Sequence, residues 1–354
     1  MNDSAYPALV VNLQEEKRRR RKVAIWLALS WIWLVSTGCC VISQPVLGPK
    51  TTGSPQGVDP VRLEAHVRKL SQELVPRDWT HPENLDRAAA YIKAQMVEAG
   101  ARVSEQTFAI RGKEYRNVIG RFGPEAGARV VLGAHYDAFD ELPGADDNAS
   151  GVAGVLELAR LLGKQPPSCP VELVAYTLEE PPFFGSQQMG SAHHAQELRK
   201  QGVVVKAALV LEMIGYFSDA RGSQHYPLSL MGFFYPSRGN FIAVVGHMGS
   251  IGLTRKVKKA MKAATDLPVW SLNAPRFIPG VDFSDHHPYW DVGYPAVMVS
   301  DSAFNRNKAY HSSGDTPDRL DYLRMAKVVE GTLQAVRSLE KQPWSPLPTV
   351  SEKP

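Results

Sequence analysis

Short apolar runs recur through this chain, and several of them stop abruptly at a histidine or an acidic residue. The β-type runs are 103–110, 115–119, 130–134, 171–177, 207–211, 241–245 and 296–299. Between them lie stretches with an apolar stripe at helical spacing, 61–74, 84–99, 151–162, 186–201, 250–264 and 322–340. Strands alternating with helices predict an α/β fold, because parallel strands need crossover connections that helices supply. The expected architecture is a three-layer sandwich with a mixed, mostly parallel central sheet flanked by helices. Open sheets of this kind place their ligand crevice outside the carboxyl ends of the strands. Polar residues that close the apolar runs therefore mark where chemistry is expected.

The 354 residues suffice for one large domain and an appendage. The appendage is at the front, where a basic stretch (1–22) ending in Lys17-Arg18-Arg19-Arg20-Arg21-Lys22 precedes VAIWLALSWIWLVSTGCCVI, uncharged from Val23 to Ile42. That length suits a bilayer-spanning helix. One N-terminal hydrophobic helix, a transmembrane anchor or signal segment over 23–43, is thus expected before the sandwich. The positive-inside rule assigns residues 1–22 to the cytoplasm and everything after 43 to the periplasmic or extracellular side. A retained anchor, a cleaved signal peptide and a lipoprotein signal with Ser36-Thr37-Gly38-Cys39 as a degenerate lipobox are all open. Residues 44–60, rich in Pro, Gly, Ser and Thr, read as a linker, 61–342 as the folded domain, and 343–354 as a Pro-rich tail.

Lys and Arg number 40 against 36 Asp and Glu, and the single basic run accounts for the excess, so nothing points to a nucleic-acid partner. The three cysteines are Cys39, Cys40 and Cys169. They allow neither an internal disulfide framework nor a thiolate-built zinc site, so any metal site must use imidazole and carboxylate.

Four clusters supply such groups. Gly133-Ala134-His135-Tyr136-Asp137 follows a strand and leads to Asp146-Asp147-Asn148-Ala149-Ser150-Gly151, which opens a helix. Asp137 is placed to orient the second ring nitrogen of His135, and Asp146 reads equally well as a helix cap. The run ending Tyr176-Thr177-Leu178-Glu179-Glu180 puts paired carboxylates at a strand end, where burial without a cation would be repulsive. Glu212 closes another apolar run, and Tyr310-His311-Ser312-Ser313-Gly314-Asp315 forms the fourth cluster. Two histidines and several carboxylates without thiolate suit zinc, in a set too large for one ion.

These four clusters, in this order over roughly residues 61–340, resemble the metallopeptidase family of secreted co-catalytic zinc aminopeptidases, which includes glutamate carboxypeptidases and glutaminyl cyclases. The resemblance implies two Zn²⁺ per chain, with His135 and Glu212 on one, Glu180 and His311 on the other, and Asp147 bridging both. It implies hydrolysis of the N-terminal residue of a peptide with a free N-terminus, by a metal-bridging hydroxide with Glu179 as general base and Tyr310 stabilising the oxyanion. Asp285, in Asp282-Phe283-Ser284-Asp285-His286-His287, resembles a supporting carboxylate of a family loop. Glu212 stands where many members carry Asp. The competing expectations are a mono-zinc cyclase or a carboxypeptidase on the same frame, and a non-catalytic ectodomain used for binding.

Overall fold

The computed structural model describes residues 17–27, 29–30, 42–43 and 57–341. Most of the segment read as an anchor (23–43), most of the linker, the first sixteen residues and the Pro-rich tail lie outside the described residues. Residues 17–27 are helical with exposed side chains. Among the described residues no helix is long and apolar enough to cross a membrane.

The domain is built on one eight-stranded sheet in the order β1-β2-β4-β3-β5-β8-β6-β7. Its strands are β1 (Arg102–Ile110), β2 (Lys113–Phe122), β3 (Arg129–His135), β4 (Val171–Tyr176), β5 (Val205–Glu212), β6 (Ile242–Gly246), β7 (Val269–Asn273) and β8 (Ala296–Ser300). β4, β3, β5 and β8 run parallel at the centre, the β1–β2 hairpin joins β4 antiparallel, and β6 joins β8 antiparallel with β7 parallel beside it. The sheet is therefore mixed, as the alternation of runs implied.

Side chains of successive strand residues point to opposite faces, and the central strands are apolar on both. Val130, Leu132 and Ala134 of β3 belong to one buried cluster and Val131 to a second; Leu173 and Ala175 of β4 belong to the first and Val174 and Tyr176 to the second. The first cluster is closed by α1 (Pro60–Arg68), α2 (Pro82–Glu98), α3 (Gly151–Lys164), α5 (Ile251–Ala264) and α7 (Tyr322–Glu340). The second is closed by α4 (Gly190–Lys200) and the short α6 (His287–Asp291). Helices on both faces make the three layers.

Three elements differ from the sequence expectation. β7 was missed, because VWSLN offers only five residues and two of them are half-exposed at the sheet edge. The helix expected from 186 begins at Gly190, because residues 183–189 are held in turns, with Ser186 Oγ donating to the Phe183 carbonyl at 2.6 Å. Gly190 is itself tied to the sheet: its N–H donates to the Thr177 carbonyl at 2.8 Å and its carbonyl accepts from Asn117 Nδ2 at 2.8 Å. The stripe expected over 61–74 leaves α-geometry after Arg68 and continues as a wider turn, Lys69–Glu73.

Candidate metal centre

His135 is the last residue of β3, Glu212 the last of β5, and Glu179 and Glu180 follow β4 by three and four residues. These strands are adjacent and parallel, so their carboxyl ends converge. Asp147 lies in the turn from β3 to α3, and His311 in the connection from β8 to α7. Gly133 is required for the approach of β3 and β4, since a Cβ there would stand 2.3 Å from the Tyr176 ring.

The five side chains form two triads that share Asp147. His135 Nε2 lies 3.4 Å from Asp147 Oδ1 and 3.4 Å from Glu212 Oε2. His311 Nε2 lies 3.1 Å from Asp147 Oδ2 and 3.2 Å from Glu180 Oε2. A tetrahedral ion with bonds of about 2.0–2.1 Å has ligand–ligand edges of about 3.3–3.4 Å, so each triad is spaced as a set that could hold one ion. Both Nε2 atoms and Glu180 Oε1 are buried without a hydrogen-bond partner. Buried polar atoms are normally satisfied, and two unpartnered ring nitrogens facing carboxylates fit a divalent cation in each triad.

The supporting contacts fix each ligand. His135 Nδ1 donates to the Asp137 carbonyl at 3.1 Å, which leaves Nε2 as the lone-pair nitrogen. The carboxylate expected to do this stands 3.6 Å away, and its other oxygen accepts from the Glu180 N–H at 3.1 Å. Asp137 thus orients both triads, one through its backbone and one through its side chain. His311 is clamped between the rings of Tyr310 and Phe139, with centroids 3.8 and 4.2 Å away. Glu212 Oε2 accepts from Ser284 Oγ at 2.7 Å and Asn148 Nδ2 at 3.3 Å.

The turn that carries Asp147 is stapled to β5. Asn148 Nδ2 donates to the Leu211 carbonyl at 2.8 Å and its Oδ1 accepts from Met213 N–H at 3.1 Å, while Ser150 Oγ accepts from Ile214 N–H at 3.0 Å. This explains the Asn-Ala-Ser-Gly stretch: the polar side chains replace strand pairing where the turn crosses β5. Asp146 is not a cap. Its carboxylate is buried and accepts from Gly215 N–H at 3.0 Å and Asn307 Nδ2 at 2.9 Å. Asp315 takes the expected role, with Oδ2 accepting from the N–H of Asp146 at 3.1 Å and of Asp147 at 3.0 Å. Fully buried Arg77 holds the other side of the turn, donating to the carbonyls of Tyr136 at 2.9 Å, Pro143 at 3.1 Å and Gly144 at 2.9 Å.

Electrostatics point the same way. Burial, reinforced by Asp147, pushes Glu180 up to about 8, and burial likewise raises Glu212 and, together with the neighbouring glutamates, Glu179. Burial disfavours the charged form of His311, yet Asp147 and Glu180 raise it to about 9. Burial opposes ionisation of Asp147 too, but contacts from His135 and His311 hold it below the usual carboxylate range. The protein gathers more carboxylate than its own cations balance, and two dications would offset the four charges of Asp147, Glu179, Glu180 and Glu212.

Glu179, 6% exposed, has Oε2 3.9 Å from His135 Nε2 and groups with His135 and Glu180 as a third set of ligand-type atoms, one that does not include Asp147. Glu179, Glu180, Asp147, Glu212, Tyr310 and His311 all line a cavity of about 240 Å³. The rest of its lining is mainly apolar, including Tyr235, Phe241, Trp270 and Met298. Asp285 is fully buried, and burial pushes it up to about 7 in the field of Asp137 and Glu212. Sequence reasoning missed Arg77, Phe139, Ser284 and Asp315. Ser284 and Asp315 sat inside quoted clusters, whereas Arg77 and Phe139 carried no local signal.

The sequence profile of Peptidase family M28 matches residues 117–336. Uncharacterized protein YfbL of Escherichia coli (strain K12) is 51% identical over 288 residues, 79% of this chain and 88% of that one. Leucine aminopeptidase 1 of Ajellomyces capsulatus is 26% identical over 328 residues, covering 82% of this chain and 78% of its own. A glutaminyl cyclase structure from Fimbriiglobus ruber superposes with a TM-score of 0.62 at 22% identity, over 83% of this chain and 99% of that one, a likeness of fold.

Proposed function

The chain belongs to Peptidase family M28, and from that premise we propose that it is a di-zinc aminopeptidase that removes large apolar residues from the free N-terminus of peptides. The observation that carries the reading is the sharing of Asp147 between two complete triads, His135–Asp147–Glu212 and Asp147–Glu180–His311. A peptidase working with one ion has no use for the second triad. The leucine aminopeptidases among the relatives point to the same reaction, and the mainly apolar lining of the cavity offers a large hydrophobic side chain the burial that drives its binding.

His135 and Glu212 would hold one Zn²⁺, Glu180 and His311 the other, with Asp147 common to both. Ions held there supply Lewis acidity that makes water acidic near neutral pH and polarises a carbonyl. Glu179, unclaimed by the shared set and facing the cavity, takes the proton of the attacking water and returns it to the leaving amine. Tyr310 stays protonated, because burial and the surrounding carboxylates push its hydroxyl up, and it therefore donates to the developing oxyanion. The basic run and apolar stretch at the N-terminus support a tether through residues 23–43, with the catalytic domain on the periplasmic or extracellular side.

The test is zinc content together with turnover of leucine-anilide bearing a free or an acetylated α-amine, in the native protein and in Glu179→Gln. Two zincs per chain, cleavage of the free-amine substrate only, and a loss of about 10²–10⁴-fold in kcat for the variant at unchanged zinc are expected. One zinc with cyclisation of N-terminal glutamine would instead make the protein a cyclase.

A further inference from the structure

Several of the large apolar side chains that are exposed among the described residues lie on segments that also line the cavity of the metal centre. Between β5 and β6 the chain forms a long excursion whose segment 226–235 does two things at once. Tyr226, Met231 and Tyr235 line the cavity. Leu230 and Phe233, in the same short turn of helix, are 66% and 82% exposed, and Leu228 and Phe234 are each 48% exposed. The base of the segment is fixed: Tyr226 Oη donates to the Pro236 carbonyl at 2.6 Å and Tyr235 Oη to the Ser271 carbonyl at 2.8 Å. The outward apolar side chains are therefore held in place at the rim.

A second apolar strip leads outward from the metal centre. Tyr310, stacked on His311, neighbours Phe304 at 5.6 Å between centroids, and Phe304 neighbours Phe283 at 6.1 Å. Both phenylalanines line the cavity and are still 39% and 41% exposed, which makes them its mouth. Singly exposed apolar residues need no explanation, but a cluster contiguous with a ligand cavity marks a contact surface.

We propose that this rim is the binding surface for the residues that follow the scissile bond, so that the enzyme selects peptides apolar in their second and third residues as well as in the first. The inference rests on the aminopeptidase reading. A substrate whose first residue fills the cavity carries its remaining chain out past Phe283 and Phe304 and past the segment 226–235, whose Tyr226, Met231 and Tyr235 line that cavity and whose Leu230 and Phe233 face solvent. The surface carries side chains that gain by leaving water, so it distinguishes apolar from polar continuations without a hydrogen-bond code.

The experiment compares kcat/KM for leucinamide, Leu-Phe-Leu-Gly and Leu-Ser-Ser-Gly in the full-length protein and in the double variant Leu230→Ser/Phe233→Ser. Both positions are exposed and outside the catalytic machinery, so the fold and leucinamide turnover are expected to be unchanged. The native enzyme should favour the apolar tetrapeptide over the polar one by about tenfold, at the low end of what burying one apolar side chain supplies, and the variant should lose most of that preference. Equal rates on both tetrapeptides would overturn the proposal while leaving the aminopeptidase intact. A rim variant with unaltered peptide preference that dissociates a native dimer on gel filtration, or that floats less well with phosphatidylethanolamine–phosphatidylglycerol vesicles, would overturn it in favour of a second copy or a membrane surface. Absence of leucinamide turnover would remove the aminopeptidase reading, and this one with it.

Discussion

Ser284→Ala tests whether the two triads are separable. The hydroxyl of Ser284 donates to Glu212 Oε2 at 2.7 Å, and the same oxygen stands 3.4 Å from His135 Nε2. Ser284 is fully buried, so no solvent replaces the lost donor, and Glu212 Oε2 is left with Asn148 Nδ2 at 3.3 Å. A hydrogen bond to a charged group contributes about 1.5–3 kcal/mol, which corresponds to roughly ten- to a hundredfold in affinity. Outer contacts of metal ligands typically cost the same about 10–100-fold when removed. The second triad has no contact with Ser284, so its affinity should be unchanged. Titrating metal-free protein with zinc against a chromophoric chelator, fitted to two sites, resolves the two values. The expected result is one site weakened by that factor and one at the native value. Native affinity at both sites would refute the role of Ser284, and equal weakening of both would refute the division into two triads.

The metal-free protein should lose stability as pH rises from about 4.5 to about 9. Glu180 is raised from 4.5 to about 8 and Asp285 from 3.8 to about 7, so the folded state binds more protons than the unfolded chain across that window, and each proton lost on raising pH disfavours folding. His311, raised from 6.5 to about 9, acts in the same direction, its stabilising contribution being lost as pH passes its folded value. Asp147 opposes them only below its ordinary range. Calorimetry at pH 5, 7 and 9 should show Tm falling in metal-free protein, with zinc removing most of the decline; a Tm that rises over this range without metal would contradict the assignment. Arg77→Met should lower the Tm of the metal-free protein by about 10 °C, since it leaves several buried carbonyls unpaired at about 1–3 kcal/mol each, and a shift below about 2 °C would show that the turn does not depend on the guanidinium.

What was legible in the sequence followed from short-range pattern. The central strands are apolar on both faces and read as continuous runs, and the ligand-type residues are simply where those runs stop, so β3, β4 and β5 delivered His135, Glu180 and Glu212 together. The long-range supports were not legible. Arg77 acts on carbonyls 59 to 67 residues away, and Asp315 caps a turn 168 residues before it. Nothing in the local spacing encodes such a contact. For Asp146 the local pattern leaves a helix cap and a functional role equally open, and the choice is decided by donors from Gly215 and Asn307, which only the closed fold brings near. β7 was lost for a related reason, since an edge strand of five residues takes its stability from β6 and has little pattern of its own.

The cost of this site is concentrated where the ligands are. Leu178, immediately before Glu179, Met213, immediately after Glu212, and His311 itself all adopt left-handed backbone, with φ of 59°, 49° and 50°. For residues with a Cβ this conformation is unfavourable, and its cost is of order 1–3 kcal/mol each. Added to it is the mutual repulsion of carboxylates that burial already disfavours in their charged form. A fold selected only for stability would relieve the first with glycine at the strained positions and the second with neutral side chains in place of the glutamates. That strain and like charge coincide around the same two triads, and that both triads present unpaired ring nitrogens, is coherent if binding of cations offsets the two costs together. On that account, alleviating the backbone strain alone, as glycine at Met213 would, leaves the charge excess in place and does not remove the dependence of stability on metal.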